Sequence, residues 1–100
     1  MSKVRITLPF HLQTLASCGQ EVEVEVQGTV SVLTVIRALE AKFPMLKGTI
    51  IDHYSNQRRP KVRFFACSKD VSLQALDTEL PAAVASGEEP LMVVGAISGG

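Results

Sequence analysis

The sequence ends in Gly99-Gly100, approached through Met92-Val93-Val94-Gly95-Ala96-Ile97-Ser98. An apolar, strand-like run therefore opens into small residues. Glycine loses more backbone freedom on ordering than any other residue, so a terminal pair adds nothing to a core. A terminal glycine carboxylate has no side chain beside it. Such an end can be threaded down a narrow channel in a partner and reached by chemistry there. The competing reading is a frayed, inert end, the common fate of chain termini.

The remaining reactive residue types are few. Cys18 and Cys67 lie far apart and form no CxxC pair. They read as small buried or half-buried residues, since nothing in the sequence signals a lowered thiol pKa. His11 and His53 stand alone, without Cys, Asp or Glu at metal-ligand spacing, and read as loop residues. Arg58, Arg59, Lys61 and Arg63 form a local basic cluster. It reads first as a solvated loop entering a strand, and second as a patch for an acidic partner. No Ser-His-Asp order, phosphate loop or dinucleotide fingerprint is present. With no active site visible, the chain reads as a reagent or a binding module.

The elements that must carry the tail follow from periodicity. Val4, Ile6 and Leu8 alternate with Lys3, Arg5 and Thr7, which predicts a half-buried strand. Val22, Val24 and Val26 alternate with Glu21, Glu23 and Glu25, a second strand closed by Gly28. Paired as a hairpin, the two set Lys3 and Arg5 near the glutamates. Phe10 to Gly19 between them is a loop or short helical turn. Ser31 is an N-cap for a helix with Val32, Val35, Ile36, Leu39 and Phe43 on one face. Thr34, Arg37, Glu40 and Lys42 fall on its other sides, and Pro44 ends it. Val62 to Cys67 and Leu91 to Val94 are further strands, apolar on both faces; the last is therefore central in its sheet. Ser68 to Gly87 is irregular, with Leu73, Leu76 and Leu80 as core anchors. One helix against one face of a small mixed sheet buries these stripes in two layers.

Composition bounds the partners. One hundred residues, 46% of them hydrophobic and 20% charged, fit one globular domain. Lys plus Arg and Asp plus Glu both total 10, so there is no general pull toward nucleic acid or an anionic membrane. No run approaches the ~20 apolar residues of a membrane span. The amino terminus runs straight into a strand and lacks a signal peptide's apolar stretch. Two cysteines are few for a stapled secreted scaffold, which points to the cytoplasm.

The strand order, the helix ending in Phe43-Pro44, the segment Leu76-Asp77-Thr78-Glu79-Leu80 and the terminal Gly-Gly together resemble the MoaD/ThiS family. These are ubiquitin-like β-grasp sulfur carriers, and the resemblance covers nearly the whole chain. It implies an α+β fold, a mixed four- to five-stranded sheet packed on one main helix. The β-grasp domain would span residues 1–94, and a flexible tail residues 95–100. The family tail often carries proline and alanine before its glycines, where this chain has Gly95-Ala96-Ile97-Ser98. The chain is longer than a typical ThiS, with extra residues around Ile50 to Pro60 and Pro81 to Glu89, which favours a MoaD-like or divergent carrier.

The activity implied is that of a carrier, a co-substrate rather than an enzyme. A ubiquitin-activating-type enzyme would use ATP to adenylate the Gly100 carboxylate. A sulfur donor would displace AMP and leave a thiocarboxylate, which passes sulfur on in cofactor biosynthesis. A small-subunit role in a molybdopterin-synthase-like complex, beside a large synthase subunit, is the foremost expectation. Gly99 and Gly100 would keep the reacting end thin, and Gly95, Ala96, Ile97 and Ser98 would form the tether in the partner's groove. Phe64 or Phe65, and Met92 or its neighbours, with Arg59 and Arg63, are the expected docking residues. No metal or cofactor is expected on this chain, ATP being used by the partner. Two other functions share the sequence: a protein modifier joined through Gly100 to lysines of other proteins, and an interaction module with an inert tail.

Overall fold

A computed structural model describes residues 1–95 of the chain. The charged-apolar alternation forms the first hairpin, β1 (Ser2–Thr7) antiparallel to β2 (Glu21–Val26). Val4, Ile6, Val24 and Val26 turn inward and are buried. The opposite pleat pairs Lys3 with Glu25 and Arg5 with Glu23, as the sequence predicts. The Arg5 guanidinium also sits 3.2 Å from Glu21. Between the strands the helical of the two alternatives is found, α1 (Phe10–Ala16), with Leu12 and Ala16 buried. His11 is therefore helical. The Leu8 N–H donates to the Gln20 carbonyl at 2.8 Å and closes the excursion.

The main helix α2 (Val32–Lys42) starts at Ser31, whose hydroxyl accepts from the Thr34 N–H at 3.2 Å. The Thr34 hydroxyl in turn accepts from the Ser31 N–H at 2.9 Å, so the cap is reciprocal. Val32, Val35, Ile36 and Leu39 are buried as expected. Glu40 is not on a wet side: it is 3% exposed. It lies one turn beyond Ile36 and shares the buried face, where Arg37 donates to its Oε1 at 2.9 Å. The same guanidinium reaches Asn56 at 2.6 Å and ties α2 to the loop that follows.

The chain then passes a 3-10 turn (Pro44–Leu46) to reach β3 (Val62–Ala66), β4 (Lys69–Asp70), a short helix α3 (Ala82–Ala85) and β5 (Leu91–Gly95). The strand order is β2-β1-β5-β3-β4. The β5 strand is central, as its apolar run predicts, parallel to β1 and antiparallel to β3. Cys67 and Ser68 turn the β3–β4 hairpin, both at positive φ, which leaves Cys67 exposed instead of buried. Cys18 is half-buried, as expected. Of the three expected leucine anchors, Leu80 is buried and Leu76 packs on the core's edge. Leu73 is 87% exposed, because it lies in the turn closed by Gln74 N–H donating to the Val71 carbonyl.

One face of the sheet holds Val4, Ile6, Val24, Phe64, Leu91 and Val93 against Val35, Ile36 and Leu39. Phe64 is the largest fully buried side chain. Phe64→Ala is expected to cost about 3–5 kcal/mol, from lost apolar transfer plus the cavity left behind. Urea unfolding of the variant measures this, and a cost under about 1 kcal/mol would contradict the inward placement.

Candidate functional site

The pleat that buries Phe64 turns its neighbours to the other face. The β3–β5 register pairs Arg63 with Val94 and Phe65 with Met92. Thr7 pairs with Met92 across the parallel junction, and Asp70 pairs with Phe65 at the far edge. The face without α2 is thus charged at β2 and β1, through Glu21, Glu23, Glu25, Lys3 and Arg5. It is apolar at its centre, through Phe65, Met92 and Val94, and ionic again at Arg63 and Asp70. Met92 is 43% and Val94 41% exposed, and Phe65 is half-buried. An apolar centre within a polar rim is the anatomy of a protein-docking face.

Arg63 donates to Asp70 Oδ2 at 3.0 Å. Hydrogen bonds from Ser72, first from its side chain and then from its backbone N–H, hold the Asp70 carboxyl below its usual 3.8, and Arg63 adds to them. Asp70 therefore stays charged, and the Arg63 guanidinium is oriented along the rim.

Of the expected docking residues, Phe65, Met92 and Arg63 share this face. Phe64 does not, because successive strand residues point to opposite sides and its side is the core. Arg59 does not either. Its guanidinium is turned to the preceding loop, donating to the Gly48 carbonyl at 2.7 Å and lying 3.8 Å from Asp52. Arg58 is likewise structural, donating to the carbonyls of Val62 at 2.6 Å and Ser72 at 3.1 Å. Val94, a neighbour of Met92 two residues further along the strand, shares its face.

The loop that holds Arg59 has its own acid sensitivity. Asp52 Oδ1 accepts backbone N–H groups from Tyr54 at 2.8 Å and Ser55 at 3.3 Å. These bonds, with Arg59 contributing, lower the Asp52 pKa from 3.8. A carboxylate depressed in the folded state stabilises above its unfolded pKa and loses that contribution as pH falls through the folded value. Asp52→Ala is therefore expected to flatten the acid limb of stability below pH 3.8, while Asp52→Asn keeps an acceptor for the turn. Urea midpoints measured against pH check this; parallel acid limbs for wild type and Asp52→Ala would contradict it.

The expected tether is only partly within view. Gly95 is the last residue of β5 and pairs with Val62, so it belongs to the sheet rather than to the tail. Ala96, Ile97, Ser98, Gly99 and Gly100 lie outside the described residues. Gly95 also has close neighbours. A Cβ built on it would stand 2.6 Å from His11 Cε1 and 3.4 Å from Pro9 Cγ. No motif in the sequence signals this contact, because only the parallel β1–β5 pairing brings residues 84 positions apart together.

On the other side of the molecule, a groove of about 1010 Å³ runs beside α2, lined by Leu33, Arg37, Ala38, Leu73 and Leu76 among others. Among the described residues, no group of three or more His, Cys, Asp or Glu is arranged to hold a metal ion. No helix there is long and apolar enough to cross a membrane.

No protein-family model matches the chain, and no curated protein matches it in sequence. Solved structures do match in shape. SAMP1 from Haloferax volcanii superposes with a TM-score of 0.75 at 20% identity, covering 98% of this chain and 99% of that one. CysO, in the Amycolatopsis orientalis BexX/CysO complex, gives 0.74 at 20% identity over 97% and 99%. The small archaeal modifier protein 1 of Methanosarcina acetivorans gives 0.72 at 23% identity over 100% and 98%. The described residues, 1–95, have the β-grasp fold these proteins share.

Proposed function

We propose that this β-grasp chain is a carrier of the MoaD/ThiS type, activated at its carboxyl end by a ubiquitin-activating-type enzyme. One observation carries the reading. The strand that presents Met92 and Val94 at the centre of the uncovered face is the strand that leads to Gly99-Gly100. A partner gripping that face would hold the strand from which the terminus continues. The neighbours fit this reading: one of them, CysO, was solved in a complex with BexX.

The chemistry follows from the carboxylate. It is a poor electrophile with no leaving group. Attack of a terminal oxygen on the α-phosphorus of ATP releases pyrophosphate and forms an acyl adenylate. A donor supplying sulfide adds it at the carbonyl, and AMP departs. The product is a thiocarboxylate, a soft nucleophile that can pass its sulfur to an electrophilic acceptor. In a molybdopterin-synthase-like assembly a large subunit would hold that acceptor. This chain contributes the reacting end, the docking face and no catalytic side chain. ATP is bound by the partner, and the reaction belongs to the cytoplasm.

A second reading is favoured by the name modifier borne by the archaeal neighbours. A lysine amine, rather than sulfur, would then take the acyl group and form an isopeptide bond. The two share the adenylate and differ in its fate. Pyrophosphate exchange into ATP by the activating enzyme, dependent on this chain, tests the shared step. Higher-mass conjugates in a lysate report the modifier branch. An activating enzyme competent on another carrier yet silent on this chain would overturn both.

A further inference from the structure

Resting on that reading, we infer that His11 is a positioning residue: its imidazole and the Pro9 ring seat the Gly95 backbone and set the direction in which the carboxyl-terminal segment leaves the sheet. The contact arises from topology. The β1 and β5 strands run parallel, so both end at the same edge of the sheet. After β1 the chain extends through Pro9, at φ −68° and ψ 156°, and enters α1. That path lays Pro9 and His11 over the end of β5. The space a side chain at position 95 would need is taken by His11 Cε1 at 2.6 Å, with His11 Nε2 and Pro9 Cγ each at 3.4 Å.

Glycine and imidazole require each other here. A glycine is the loosest joint a chain can have at the root of a tail. Left alone, it would let the reactive end sweep a wide arc. Five extended residues reach roughly 17 Å, so a 30° pivot at the root moves the tip by about 8 Å. Misplacement of a reacting group by even 1 Å is costly. The rings restrict the joint from above, while the pairing with Val62 holds it from the side. A larger residue at 95 would not fit beneath the ring, and a smaller one at 11 would leave the joint loose.

The proposal predicts a non-additive pair. His11→Ala removes the ring. Gly95→Ala displaces it, because the imidazole is the far end of an exposed side chain and can swing aside. Each single variant of the full chain is expected to raise the KM of the activating enzyme for this chain about fivefold to tenfold, with kcat within about twofold. The double variant should match the singles instead of multiplying them. His11→Phe, which keeps a ring, should restore the wild-type KM. A second readout is independent of any enzyme. The backbone ¹⁵N heteronuclear NOE at Gly95 should fall in His11→Ala and recover in His11→Phe, with core amides unmoved. An unchanged Gly95 NOE in His11→Ala, or multiplicative effects in the double variant, would overturn the inference. If no activating enzyme accepts the wild-type chain, the carrier reading fails and the NOE still decides the seat.

Discussion

Removing Gly99 and Gly100 is expected to abolish activation and leave folding intact. The truncated chain would end in the Ser98 carboxylate, about 7 Å short of the original position in extended chain. An adenylating site holds its ATP fixed, so a carboxylate that does not reach the α-phosphorus does not react. The expected loss in chain-dependent pyrophosphate exchange is about 10³-fold or more, the order that separates positioned from unpositioned reactants. Stability is expected to be unchanged, because among the described residues the buried core runs from Val4 to Val93, and a terminal glycine has no side chain to bury. Thermal melts and pyrophosphate exchange on the same two samples give the answer. Exchange at the wild-type rate by the truncated chain would make the terminus inert and favour an interaction module. A lowered melting temperature would place the glycines in the fold, contrary to the account.

The second large effect belongs to the uncovered face. Met92→Glu, combined with Phe65→Ala, is expected to weaken association with the activating enzyme by about 30-fold or more, the effect of losing one hot spot of about 2 kcal/mol. Met92 and Phe65 are cross-strand partners at the centre of the face, so the pair removes contiguous apolar area. The new carboxylate would also have to be desolvated in any interface that formed. Met92 is 43% exposed, so the fold is expected to tolerate the change far better than Phe64→Ala. Calorimetric titration against the activating enzyme checks the loss. Wild-type affinity in the double variant would move the docking face elsewhere, the groove beside α2 being the next surface to test.

The parts of the fold that could be read from the sequence are those with a clean period. The Glu-Val alternation of residues 21–26 sets strand, face and charged partner at once, and the structure pairs it with Lys3 and Arg5 as expected. Ser31 and the 3.6-residue stripe define α2 in the same way. The misses come from tertiary context. Phe64 and Phe65 look alike in sequence, and only the pairing partners decide which one is buried. Glu40 is charged, yet a helical turn puts it under Ile36, where the Arg37–Asn56 link closes over it. Leu73 is apolar, yet a turn holds it out.

The site shows the same division. The chemistry proposed for the end was readable from two adjacent glycines, which have no side chain to pack. The seat of the tail was not. His11 is one isolated histidine in sequence, and its meaning depends on two parallel strands ending side by side. Arg59 lies away from the proposed docking face for a related reason. A cluster of basic residues says nothing about which carbonyls and carboxylates lie near, and Gly48 and Asp52 had already claimed it.

The central claim is that the carboxyl end of this chain becomes a thiocarboxylate. It is tested most directly by the intact mass of the full chain after incubation with ATP, an activating enzyme and a sulfur donor. The account predicts a mass shift equal to replacement of one oxygen by sulfur, located by fragmentation at Gly100 and absent without ATP. An unchanged mass, with the same enzyme and donor converting another carrier in the same tube, would contradict it.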